Sequence, residues 1–184
     1  MRASRRLLGA FGAVAALGLG LGLWSSSGAQ AAPTAPAAAA RPAVIPKCTA
    51  GSLAVWLNFA RSDGAAGTIY YPLEFTNISA HECYMYGYPG VSAVGANGRQ
   101  LGSAATRMPA TKRIVNVAPG ATVHATLAYH DVVTSTTPSC KAIPATLIRA
   151  YPPDQRAYTQ GFDSLASCRG SFPYMGIGVI QPGL

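Results

Sequence analysis

Apolar and polar positions alternate with a period of two along much of the chain. Leu53, Val55, Leu57 and Phe59 alternate with Ala54, Trp56 and Asn58. Ile69, Tyr71, Leu73 and Phe75 alternate with Tyr70, Pro72, Glu74 and Thr76, and Val123, Ala125, Leu127 and Tyr129 with His124, Thr126, Ala128 and His130. Successive side chains of a strand point to opposite faces, so this pattern predicts antiparallel strands with one face on a core and one in water. Tyr71 is expected inside and Tyr70 outside. Further strands are predicted near Tyr84–Tyr86, Val91–Val94, Arg99–Thr106, Arg113–Val117, Thr146–Tyr151 and Tyr174–Ile180. Turn signals separate them. Gly64 to Gly67 closes the first loop, Pro89-Gly90 suits the middle of a type II turn, Asn97-Gly98 is the strongest hairpin signal, and Pro119-Gly120 makes another turn. Pro72 within a strand pattern points to an edge or a bulge. No stretch carries a helical stripe. The expected fold is all-β: an Ig-like antiparallel β-sandwich of about eight or nine strands.

The N-terminus obeys different rules. Arg2, Arg5 and Arg6 precede an uncharged apolar run from Leu7 to Trp24, then Ser25, Ser26 and Ser27, then Ala29-Gln30-Ala31. A basic start, an apolar middle and a small-x-small end make a secretory signal, so residues 1–31 are expected to be a cleaved signal peptide. The run is at the lower limit for a spanning helix and its five glycines make it a poor permanent one, so membrane contact is expected only through the transient signal. No cysteine lies near the cleavage point to carry a lipid. Residues 32–47 (APTAPAAAARPAVIPK) read as a stiff Ala/Pro-rich spacer, leaving 48–184 as one secreted domain, extracellular or associated with the cell envelope.

The formal net charge of +8 falls to about +5 once three signal arginines are removed. The remaining Lys and Arg are scattered, with only Lys112-Arg113 adjacent, so there is no nucleic-acid stripe. Dispersed positive charge favours anionic envelope polymers weakly. The four cysteines, Cys48, Cys83, Cys140 and Cys168, are separated by 35, 57 and 28 residues, too far apart for a zinc motif. An even number in an exported chain implies two disulfides. Three pairings are possible; Cys48–Cys83 with Cys140–Cys168 is favoured because each closes a loop of sequence-adjacent strands.

The middle of the chain resembles a family of secreted and lipoprotein domains of unknown function in actinobacteria. The residues that carry the resemblance run from Gly64-Ala65-Ala66-Gly67-Thr68-Ile69-Tyr70-Tyr71-Pro72-Leu73 through Phe75-Thr76-Asn77 and Cys83 to Gly87-Tyr88-Pro89-Gly90-Val91, with Val117-Ala118-Pro119-Gly120 beyond. The resemblance spans about Cys48 to Val179. It implies an Ig-like sandwich outside the cell and no assigned activity. The absence of a lipobox cysteine departs from the lipoprotein members.

Candidate chemistry is sparse. His81-Glu82 begins like the H-E-x-x-H zinc helix, but the second histidine is replaced by Met85. His124 and His130 share the outer side of one strand and lie about 20 Å apart, too far to share a metal. No G-x-S-x-G elbow is present, and a glycosidase pair would need two of Asp63, Glu74, Glu82, Asp131, Asp154 and Asp163 to converge. Asn77-Ile78-Ser79 matches a glycosylation sequon, but Asn77 reads as a turn residue at a strand end. Tyrosines are the distinctive group. Tyr70, Tyr84, Tyr86 and Tyr88 form a candidate binding surface, the last three of one parity, suited to stacking on sugar rings or anchoring a protein. The expectation is a non-catalytic binding or structural module, not an enzyme, with no cofactor, no metal and no nucleic-acid partner. Its partner would be a cell-wall polymer or an extracellular protein. The alternative is a secreted protease inhibitor that presents residues 131–141, pinned by Cys140.

Overall fold

A computed structural model describes residues 44–132 and 140–183. Both the expected signal peptide and all but the end of the expected spacer lie outside the described residues. Fifteen strands form among those described: β1 (Leu53–Leu57), β2 (Asp63–Ala65), β3 (Thr68–Asn77), β4 (Cys83–Tyr86), β5 (Gly90–Val94), β6 (Gln100–Leu101), β7 (Thr106–Arg107), β8 (Ile114–Val117), β9 (Thr122–His130), β10 (Ala142–Pro144), β11 (Leu147–Tyr151), β12 (Thr159–Phe162), β13 (Ala166–Cys168), β14 (Met175–Ile177) and β15 (Gln181–Pro182). Eight have four residues or more, close to the number the alternation predicts; the rest are short pieces of ladder.

The larger sheet runs β1-β3-β9-β14-β7, with β2 added to β3 and β15 to β9. A second sheet runs β12-β11-β5-β6, and two ribbons, β4-β8 and β10-β13, complete the domain. All named strand pairs are antiparallel except β7 with β14. Register brings the predicted inner faces together. Val55, Phe75 and Val123 lie in one row, and Leu57, Leu73 and Ala125 in the next. They join Val91, Ala93, Ile148 and Ala150 of the second sheet, and Met85, Val115 and Val117 of the β4-β8 ribbon, in one buried cluster. Two sheets sharing one apolar core is the sandwich arrangement. At one corner the edge strands β1 and β12 touch. Thr159 Oγ1 donates to Leu53 O at 3.3 Å, and a Cβ on Gly161 would collide with the Val55 carbonyl.

Three local expectations are corrected. Pro72 is at neither an edge nor a bulge: β3 is central, paired on both sides. Its neighbours explain this. β1 pairs with residues 73–77 and β2 with residues 68–70, leaving a gap at 71–72. Pro72 O accepts from Asn58 N at 2.9 Å on that side, so the ring nitrogen faces the gap and no ladder bond to β9 is lost. Pro89-Gly90 makes no type II turn, because Gly90 is extended, with φ not positive, and pairs with Tyr151; the residue that turns the chain is Gly87, at φ 100°. Phe59 does not continue the inner face. β1 ends at Leu57, and Phe59–Arg61 form a 3-10 turn capped by the Asn58 side chain, which accepts from Arg61 N. By contrast Ala118-Pro119-Gly120-Ala121 is a type II turn, with Gly120 at φ 75° and Ala121 N bonded to Ala118 O at 3.0 Å.

Cys48–Cys83 and Cys140–Cys168 are disulfide-bonded, the pairing expected because each closes a loop of sequence-adjacent strands. The first joins the N-terminal segment to β4, where Tyr84 N donates to Pro46 O and Cys48 N to Tyr84 O, both at 2.9 Å. Backbone pairing therefore begins two residues before Cys48, inside the expected spacer.

Candidate functional site

Alternation in the β4-β8 ribbon buries Cys83, Met85, Val115 and Val117 and turns Tyr84, Tyr86, Ile114 and Asn116 outward. Register sets Tyr86 opposite Ile114 and Tyr84 opposite Asn116. Tyr86 is 44 % exposed and Ile114 66 %. Lys47 joins this face through its bridge to Tyr84. Its ammonium donates to Asp154 Oδ2 at 3.0 Å, and this hydrogen bond raises its pKa above the ordinary lysine value. Lys47, Tyr84, Tyr86 and Ile114 line a cleft of about 420 Å³. Its chemistry is aromatic and apolar, with one cation at the rim.

The four candidate tyrosines do not form one surface. Tyr84 and Tyr86 stand together. Tyr88 leaves the ladder because Gly87 redirects the chain. Its hydroxyl donates to Met108 O at 2.7 Å and accepts from Ala110 N at 3.0 Å, and Arg107 and Lys112 lie over its ring. Tyr88 thus fastens the 107–112 segment. Tyr70 faces out as expected, but on β3 of the larger sheet, between Asp63 and Ala128.

The remaining candidates have local partners. His130 Nδ1 is 2.8 Å from Thr68 Oγ1, and His124 Nδ1 is bonded to the Gly183 carbonyl. His81 and Glu82 are exposed beyond the end of β3. Asn77 is fully buried: its Nδ2 donates to His81 O and Val117 O, and its Oδ1 accepts from Ser79 N and Oγ. An amide so enclosed is a structural hub and not a glycan acceptor. Of the carboxylates, Glu74 and Asp163 are buried. Glu74 lies on the outer-facing parity of β3, held by Asn58, whereas Asp163 lies near the core tyrosines. They do not converge. Among the described residues, no group of three His, Cys, Asp or Glu side chains is placed to hold a metal.

Residues 48–173 match the profile of a domain of unknown function, DUF4232. The chain belongs to this family. No curated protein and no solved structure matches it. The matched DUF4232 region takes in both disulfides and β1 to β13 but stops short of Tyr174, Ile177 and Ile180, which are buried in the same core. The DUF4232 domain also carries an aromatic surface that the sequence reading passed over. On β11 and its approach to β12, Arg149 lies 4.5 Å from the ring centroid of Tyr158, which meets Tyr151 edge-on at 5.5 Å. Phe162, paired with Leu147 at the other end of the same ladder, is 69 % exposed. The alternation Leu147, Arg149, Tyr151 carries the signal for an outward Arg149; the approach of Tyr158 depends on a connection with no period of its own.

Proposed function

We propose that this DUF4232 domain is a non-catalytic binding module that works outside the cytoplasm at the cell envelope, taking a cell-wall polymer onto the Tyr84–Tyr86 face. The observation that carries this is the outward pairing of Tyr86 with Ile114 beside Tyr84, an aromatic and apolar face that no other described element covers. Tyrosine rings offer rigid apolar area and a hydroxyl at the rim, which suits the CH faces and hydroxyls of a glycan. The compartment is supported by the two disulfides, which form and persist under oxidising conditions, and by the signal-like residues 1–31. Among the described residues no helix is long and apolar enough to cross a membrane.

The test is cosedimentation of the purified protein with insoluble cell-wall material across a salt series. Retention at high salt, lost at least about ten-fold in Tyr84→Ala and Tyr86→Ala but kept in Tyr70→Ala, is expected. Absence of binding at every salt, or release by modest salt in all variants, would reject the proposal.

A second reading, a protease inhibitor presenting residues 131–141, has one observation in its favour. Both ends of that segment are anchored, by Asp131 N to Gly67 O at 3.2 Å and by the Cys140–Cys168 bond. Residues 133–139 between them lie outside the described residues. Dose-dependent loss of protease activity at nanomolar protein would support it, and unimpaired proteolysis would dismiss it.

A further inference from the structure

The hairpin from β5 to β6 and the end of β13 enclose a second cleft, of about 300 Å³, lined by Asn97, Arg99, Gln100, Leu101, Ile143 and Arg169. Two arginines 70 positions apart in sequence thus border one space, and among the described residues no carboxylate lines it. Among the described residues the one ion pair is Lys47–Asp154, so both guanidinium groups are uncompensated. The amides define the rest of the chemistry. Asn97 Oδ1 accepts from Arg99 N at 3.1 Å, which leaves the Asn97 NH2 free to donate. Gln100 Nε2 donates to Gly102 O at 3.3 Å, which leaves Gln100 Oε1 free to accept. Leu101 and Ile143 supply apolar surface beside these donors, and hydrogen bonds from a guanidinium to an anion are charge-assisted.

Both arginines stand on held backbone. Gly98 N bonds to Gly95 O at 2.9 Å and Gly95 N to Arg99 O at 3.0 Å, closing the hairpin around a left-handed Gly98. Arg149 Nη2 donates to Gly98 O at 3.2 Å and ties that hairpin to β11. Arg169 follows disulfide-bonded Cys168, and its N donates to Lys141 O at 3.0 Å. Arg99 and Arg169 are exposed like charges that line one cleft, and a shared anion offsets the repulsion between them. A frame rigid before binding limits the entropy lost on binding.

We propose that this cleft is an oxyanion site that takes a phosphate ester. Arg99, Arg169 and the Asn97 NH2 donate to the phosphate oxygens, and a neighbouring hydroxyl of the ester donates to Gln100 Oε1. The site is separate from the Tyr84–Tyr86 face and stands whether or not that face binds a polymer.

The experiment is a titration of protein labelled with 15N at arginine, followed by NMR at the Arg Nε–Hε resonances, with glycerol 1-phosphate and with poly(glycerol phosphate) as probes. The expected result is saturable, joint movement of the Arg99 and Arg169 signals. Arg99→Gln and Arg169→Gln should each weaken binding by at least about ten-fold, while Arg61→Gln and Arg156→Gln, which remove the same charge elsewhere, stay within about two-fold. Response to the small ester identifies a free phosphate ester as sufficient; response to the polymer alone identifies repeated phosphates as the source. Equal weakening by all four substitutions, equally tight binding of poly(glutamate), or no movement with either probe would overturn the site. Tyr84→Ala should leave this titration unchanged, which separates its outcome from that of the envelope-polymer proposal.

Discussion

Asp163 lies 2 % exposed just after β12, within electrostatic reach of Tyr71, Tyr129 and Tyr174, whose rings follow Phe59 in a chain with centroids 5.4, 6.4 and 6.0 Å apart. Burial pushes its carboxyl above the usual 3.8, and the backbone N–H groups of Leu165, at 2.8 Å, and Ser164 hold back part of the rise. The same burial pushes the Tyr129 phenol up to about 12. A raised acid is neutral in both states below its unfolded pKa and penalised in the folded state once ionised. Its share of stability is therefore fully present below about 3.8 and lost as the pH climbs through the folded value. Asp163→Asn keeps the acceptor for Leu165 N–H and removes the charge. Relative to the parent, the variant should gain stability between pH 4 and pH 7 in urea unfolding; a variant that loses ground over that interval contradicts the assignment. Asn77 tests the opposite case, a buried amide with every group satisfied. Asn77→Ala strands the carbonyls of His81 and Val117 and should cost about 3 kcal/mol, read from the shift in denaturation midpoint at constant slope.

At the scale of elements, the contact between β1 and β12 joins the edges of the two sheets by close backbone approach. Gly161→Ala places a methyl against the Val55 carbonyl, which belongs to the backbone and has little room to retreat. A loss of about 3 kcal/mol is expected, with faster hydrogen exchange in β12; an unchanged midpoint would mean the corner is free to open. The long strands were legible because Leu53, Val55 and Leu57, or Val123, Ala125 and Leu127, repeat often enough to declare a face. β2, β10, β13 and β15, of two or three residues, are shorter than any period they could display, and pairing partners define them. Pro72 misled because the gap that accommodates it lies in the neighbouring strands. Tyr84 and Tyr86 share the outward parity of β4, and Tyr88 leaves it because Gly87 resets the count. Ile114, Lys47, Arg99 and Arg169 reach their clefts through tertiary pairing, which no local pattern encodes.

For the whole molecule, the disulfides bracket separate stretches. Cys48–Cys83 spans 35 residues and Cys140–Cys168 spans 28. Loop-closure entropy assigns each about 3–4 kcal/mol, by restricting the unfolded chain. The two should differ in what else they disturb. Replacing both Cys48 and Cys83 by alanine releases the pairing of residues 46–48 with β4, so the amide of Tyr84 should lose exchange protection and the Tyr84–Tyr86 cleft its Lys47 rim. Replacing Cys140 and Cys168 should leave that amide protected. Equal loss of protection at Tyr84 in both double variants would show that the ribbon depends on global stability alone.

The Cys48–Cys83 bond also dictates how the domain bears tension. A pull on the N-terminal segment enters at Pro46–Cys48 and passes straight into β4 through a covalent bond, so residues 49–82, with the whole of β1 to β3, are shunted out of the load path. The second bond does the same for 141–167. Stretched from its ends, the domain should release a contour length shorter by about 20 nm than its residue count requires, at about 0.35 nm for each residue held inside a loop, and recover that length when a reductant is added.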